Sequence, residues 1–289
     1  MCVIWGIPYL FIRVSVSEIS PAALVFFRTT VAALIFLPFV LSRGGVASVR
    51  GRWVPLLLFA GFEVFMPWIL LSSAEQHISS ALAGLLISTV PLFGVVIAAV
   101  LGNREHLRLT SLSGLLVGLV GVALLVGLDL GGSDPISLLE MAGVAFGYAL
   151  GPAILARYLT AVPSVTVNGL ALALCAVAYA PLAAFHWPHA VPSPAVIGSI
   201  AVLALVCTAL AFLLFFALIR EIGPVRSTVI TYINPAVAAV LGVAVLHESL
   251  TVGMGAGFVM VLAGSVLSTW RRPGASRRVV VEVAAGTAE

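Results

Sequence analysis

Two charged side chains stand inside otherwise apolar runs. Glu63 lies in Phe59-Ala60-Gly61-Phe62-Glu63-Val64-Phe65-Met66-Pro67-Trp68, and Arg28 follows Phe26-Phe27. A carboxyl in hydrocarbon pairs, faces a cavity or stays protonated, and each outcome suits proton coupling or recognition of a cationic group. The competing reading of Glu63 is a structural carboxyl hydrogen-bonded to a helix break. For Arg28, bidentate binding of a substrate carboxylate or phosphate competes with neutralising Glu63 or Glu75. The structural reading of Arg28 is preferred, because a buried arginine is usually held by a partner.

Other groups are weaker signals. Pro91 and Pro235 sit mid-span, where each removes a backbone bond and kinks its helix. The freed carbonyls are tolerated only against protein or a wet cavity. Ser88, Thr89, Thr231, Tyr232 and Asn234 are therefore candidate lining groups, unless they bond their own helix. Trp5, Tyr9, Trp68 and Tyr148 would form an aromatic wall for an apolar or cationic substrate. Trp53, Trp187 and Trp270 read instead as membrane-interface anchors.

No metal or cofactor is expected. Cys2, Cys175 and Cys207 are unpaired in spacing, and His77, His186, His189 and His247 lack ligand spacing. No His-Glu-x-x-His, paired-carboxylate or Gly-x-Ser-x-Gly pattern marks an enzyme, and Gly253-Met254-Gly255-Ala256-Gly257 has no strand before it. No arginine cluster is interleaved with aromatics, which argues against nucleic acid. A filter sequence or charged ring for an ion channel is also missing.

The elements that must position these groups follow from composition. Of 289 residues 62% are hydrophobic and 9% charged, and mean hydropathy is +1.21, so lipid is the solvent. Divided at about 20 apolar residues per crossing, the chain yields ten spans. They run roughly 1 to 17, 22 to 41, 53 to 73, 79 to 101, 110 to 128, 137 to 156, 165 to 185, 194 to 218, 225 to 246 and 252 to 270, within about 2 to 4 residues. The 17-residue first span leaves open a start codon assigned too late or a helix tucked inward, and its flank does not read as a cleaved signal peptide.

All 14 basic residues are arginine. With the N-terminus cytoplasmic, twelve fall inside, from Arg43, Arg50 and Arg52 to the Arg271-Arg272 tail, and only Arg13 and Arg28 fall within spans. The positive-inside rule selects this orientation, with both termini cytoplasmic. Outer loops hold Glu18, Glu75, Asp129, Asp134 and Glu248. Residues 271–289 read as a basic, disordered cytoplasmic tail.

The chain also repeats. Pro8 falls on Pro152, Arg13 on Arg157 and Pro91 on Pro235 at a separation of 144, and Glu105 falls on Glu248 and Gly121 on Gly264 at 143. Two five-helix units result, 1–128 and 137–270. Five is odd, so the second enters from the opposite face, and inverted repeats are what alternating access around a midplane site needs. Gly114-x-x-x-Gly118 and Gly253-x-x-x-Gly257 read as close packing within the monomer, with a homodimer through helices 5 and 10 as the alternative.

At Trp5-Gly6, Phe27-Arg28, Ser88-Thr89-Val90-Pro91-Leu92-Phe93 with Gly102-Asn103-Arg104-Glu105, and Tyr232-Ile233-Asn234-Pro235 with Leu246-His247-Glu248-Ser249-Leu250-Thr251, the chain resembles the EamA family of the drug/metabolite transporter superfamily. The resemblance implies ten helices in an inverted five-plus-five repeat, around a central cavity that helices 5 and 10 do not line. It implies a bacterial inner-membrane transporter but little about substrate, since members resemble one another while moving amino acids, other metabolites, nucleotide-linked precursors or drugs, commonly outward and by proton exchange. A non-transporting membrane partner is the alternative. The chain departs from the family pattern in its short N-terminus, in His247 where the family more often has Gly, and in Glu63.

Overall fold

The computed structural model describes residues 1–42, 44–100, 109–127, 134–188, 190–222 and 230–269. Within them the secondary structure is helical. Helix α1 spans Cys2–Ser15, α2 Pro21–Ser42, α3 Trp53–Ala74, α4 Ser80–Val100 and α5 Leu109–Gly127. They are followed by α6 Pro135–Tyr158, α7 Ser164–Phe185, α8 194–222, α9 Ile230–Leu246 and α10 Val252–Thr269. Among the described residues seven helices are long and apolar enough to cross a membrane, and shorter apolar helices lie at Cys2–Ser15, Ile233–Leu246 and Val252–Ser268.

Local chemistry sets the starts and breaks. Asp134 caps α6 by accepting from the Ile136 amide, and Ser79 caps α4 through the Leu82 amide at 3.1 Å. Proline follows the cap in α6 and α8, where its missing N–H is no loss. Pro8 divides α1 into Cys2–Gly6 and Pro8–Ser15. Helix α4 is interrupted at Ser88-Thr89, just before Pro91, while α9 continues through Pro235. The matched prolines therefore act differently in the two helices.

Among the described residues two helices widen into π turns. In α3 an ordinary helix would bond the residue-67 amide to the Glu63 carbonyl, but Pro67 has no N–H and its ring displaces that carbonyl. The helix loosens over Ala60–Phe65, with Glu63 inside the loosened stretch. Helix α7 braces it: Cys175 Sγ contacts the Ala60 carbonyl at 3.6 Å, and the Tyr179 hydroxyl donates to the Phe65 carbonyl at 2.6 Å. In α8 the π stretch is Val202–Leu210, where the Thr208 hydroxyl donates to the Leu203 carbonyl at 2.8 Å.

The main packing pairs are α2 with α7, α3 with α6, α4 with α9, and α5 with α10. Helices α5 and α10 touch backbone to backbone. A Cβ added at Gly264 would fall 2.5 Å from both the Gly114 carbonyl oxygen and the Gly118 amide nitrogen, and one at Gly121 would meet the Gly257 carbonyl at 2.8 Å. Gly264→Val should thus cost about 1–3 kcal/mol, since a backbone neighbour cannot swing aside. Thermal unfolding in detergent checks this, and an unchanged Tm would contradict so close an approach. A homodimer on this face would rest on outward side chains such as Leu116, Leu119 and Val259, which are exposed.

Candidate functional site

Arg28 is the centre of the polar interior. Although only 8% exposed, it has no carboxylate at ion-pair distance among the described residues. Its Nε donates to Thr208 Oγ1 on α8 at 2.8 Å, and its guanidinium lies over the Trp68 ring of α3, 3.8 Å from the centroid. The Thr208 hydroxyl donates its hydrogen bond to the π-turn carbonyl of Leu203, so its lone pairs are free to accept from Arg28. Cys207, Tyr9, Tyr148 and Glu75 lie within electrostatic range. The arginine is thus oriented by a neutral hydroxyl and an aromatic face, with its charge uncancelled by a contact ion pair.

Tyr148 on α6 connects this group to Glu63. Its hydroxyl lies near Trp68 and is in electrostatic range of both Arg28 and Glu63. The Glu63 side chain lies against Gly151, where any added Cβ would overlap its carboxyl. Glu63 is half-buried, yet its Oε2 is fully enclosed and makes no hydrogen bond. A carboxyl on a loosened helix, enclosed over a residue without a side chain, is left without a fixed partner. That is what a group exchanging a proton or a cationic ligand requires.

Tyr9 and Trp68 are buried at this junction, and Trp5 packs 4.7 Å from Phe215 and 6.0 Å from Phe212 on α8. The aromatic residues singled out in the sequence therefore divide into two groups. Trp68, Tyr148 and Tyr9 surround Arg28, whereas Trp5 closes a gap between α1 and α8. Asn234 is nearly buried, and its carbonyl lies against Gly6 of α1. Ser88 and Thr89 donate to their own helix, at Leu85 and Leu86, with Thr89 also lining an apolar groove of about 300 Å³ between α4, α5 and α6. That groove is apart from the charged groups. The side chains of Thr231 and Tyr232 and the stretch Gly102-Asn103-Arg104-Glu105 lie outside the described residues.

Several contributors carry no signal in the sequence. Thr208, Cys175, Tyr179 and Gly151 are ordinary residues for a membrane helix, and only their neighbours give them roles. Glu75 is the largest surprise: read as an outer-loop acid, it caps the end of α3 and is 0% exposed. Glu140 on α6 also has a buried, unpartnered Oε2.

Apolar helices long enough to cross a bilayer, packed around an arginine and a carboxyl that make no contact ion pair among the described residues, define a multi-pass membrane protein with a polar interior. The chain belongs to the EamA-like transporter family, whose model matches residues 1–127 and again 136–270. It is similar to the uncharacterized inner membrane transporter YedA of Escherichia coli strain K12, at 27% identity over 260 residues, 86% of this chain and 81% of that protein. An uncharacterized transporter of Archaeoglobus fulgidus is 25% identical over 277 residues, 93% of this chain and 95% of the relative. A solved crystal structure shares the fold, with a TM-score of 0.66 at 23% identity and 93% of each chain covered.

Proposed function

We propose that this chain is a secondary transporter of the bacterial inner membrane that exports a small amphoteric metabolite, an amino acid or related compound, by proton-coupled alternating access. The observation that carries the reading is the pair of unpaired opposite charges, Arg28 and Glu63, with Tyr148 in range of both. Arg28 would take the substrate carboxylate, since its planar fork matches two oxygens while Thr208 and Trp68 hold it still. Glu63 would alternate between a proton and the substrate ammonium. Trp68, Tyr148 and Tyr9 supply the apolar and π surface beside them.

The architecture that supports alternating access is ten crossings in two inverted five-helix units, with both termini cytoplasmic. Helices α1, α9 and α10 are short, but each is apolar. The packing pairs map onto themselves when α1 to α5 exchange with α6 to α10: α2 with α7, α4 with α9 and α5 with α10 lie across the exchange axis, and α3 with α6 becomes α8 with α1. The two π stretches correspond as well, since Glu63 plus 144 is position 207, the site of Cys207 within Val202–Leu210. Two stretches matched by one family model point the same way. The asymmetry is chemical, with a carboxyl in one π stretch and a thiol in the other.

The test is flux of a labelled amino-acid panel in proteoliposomes under an imposed pH gradient. Saturable, gradient-driven movement of an amphoteric member is expected. Movement restricted to uncharged solutes, indifferent to the gradient, would remove both the substrate class and the coupling.

A further inference from the structure

The two halves are tied together by polar contacts at the end of the bundle that holds Glu75. The Glu18 carboxylate accepts from the Ser193 amide at 2.7 Å, and the Ser20 hydroxyl donates to the His186 carbonyl at 3.1 Å. Glu248 receives the Ser80 amide at 2.8 Å, the Ala81 amide at 2.9 Å and the Ser80 hydroxyl at 3.1 Å, capping α4 from across the halves. That end is closed.

Glu75 sits in the closure. Both of its carboxyl oxygens are buried without a hydrogen bond. The charged and titratable groups facing it are Arg13 and Tyr9 on α1, Arg28 on α2 and Glu248 after α9. Arg13 spends its Nη1 on the Glu75 backbone carbonyl rather than on the carboxyl. An ionised Glu75 here would lack a donor and face a second carboxylate, so the closed end accommodates it best as the neutral acid. Burial, reinforced by Glu248, raises its pKa well above the ordinary carboxylate value, against the opposing pull of Arg13 and Arg28.

We propose that Glu75 is a second proton-binding site of this transporter, whose occupancy holds this end of the bundle closed. The inference rests on the alternating-access reading above. On opening, water reaches the carboxyl, the O–H bond breaks and the proton leaves to the aqueous phase on that side. The carboxylate left behind is solvated, and it repels Glu248. The sign follows from linkage: the closed form binds the proton more tightly, so closure is favoured at low pH and lost as pH rises.

Gln76 and Val191 are exposed on opposite halves at this end, and spin labels placed there report its opening. With Cys2, Cys175 and Cys207 replaced, double electron–electron resonance should show a growing long-distance population as pH is raised in proteoliposomes. Glu75→Gln should keep the short distances at every pH, a complete loss of the shift, while Glu75→Asp retains it and shows that the site still folds. A parent whose distances ignore pH, or a Glu75→Gln protein that shifts as the parent does, would overturn the proposal. Loss of the shift in Glu63→Gln would assign the titration to Glu63 and overturn it equally. Failure of pH-driven flux with this titration intact would instead strike the transport reading and leave Glu75 as the gate's proton site.

Discussion

Glu63→Gln is expected to lower pH-driven flux by about a hundredfold or more, the low end of the cost of removing a positioned proton-transfer group. The substitution keeps the side chain's length and its capacity to hydrogen-bond, so the widened turn over Ala60–Phe65 should survive. Its cause lies in Pro67, and its braces in Cys175 and Tyr179. What disappears is the exchangeable proton and the negative charge offered to a substrate ammonium. Flux of the same substrate down its own gradient, without a pH gradient, should fall less if the proton role dominates. A structural carboxyl that only satisfied a helix break would be replaced by glutamine without penalty, and unchanged pH-driven flux would establish that role.

Arg28→Lys is the second large effect. Lysine keeps the charge, but a point-like ammonium cannot both donate to Thr208 and lie flat on Trp68, as the guanidinium does. Giving up one charge-assisted hydrogen bond and part of a buried cation–π interaction removes about 2 kcal/mol of positioning. That corresponds to roughly a thirtyfold weaker KM for an anionic or amphoteric substrate, with the maximal rate changed less. Concentration dependence of uptake into proteoliposomes measures it. A lowered Tm with unchanged KM would make Arg28 a structural cation, the role that its sequence context alone favours. Absence of a carboxylate at ion-pair distance among the described residues is what favours substrate recognition.

Residues that are rare in hydrocarbon were legible in the sequence. Charge in an apolar run is expensive, so Glu63 and Arg28 stand out, whereas α6 starts at Pro135, ahead of the expected 137, because Asp134 caps it. Positions on a helix face were not legible. In a membrane helix the lipid-facing and protein-facing sides are both apolar, so periodicity says little about which residues meet. Hence Trp68, Tyr148 and Tyr9 stand out one by one, while nothing in the sequence separates Trp5 from them, although α8 occupies its ring. The same blindness hid Thr208, whose hydroxyl looks like any helix-bonded threonine until Arg28 arrives from α2. Glu75 was misplaced for a different reason. It lies one residue beyond the apolar run, and the packing of α1 and of the Glu248 segment over the end of α3, rather than any property of its own stretch, buries it.

Whether the Arg28–Glu63 region is reached alternately from the two sides of the membrane is the central claim. Tyr148 lies between these residues, and a single cysteine at that position, with Cys2, Cys175 and Cys207 replaced, reports on it. Membrane-impermeant thiol reagent should label the Tyr148→Cys protein both in right-side-out cells and in inverted vesicles, with substrate slowing each reaction. Labelling from one face only, in protein that labels fully once denatured, would contradict the account.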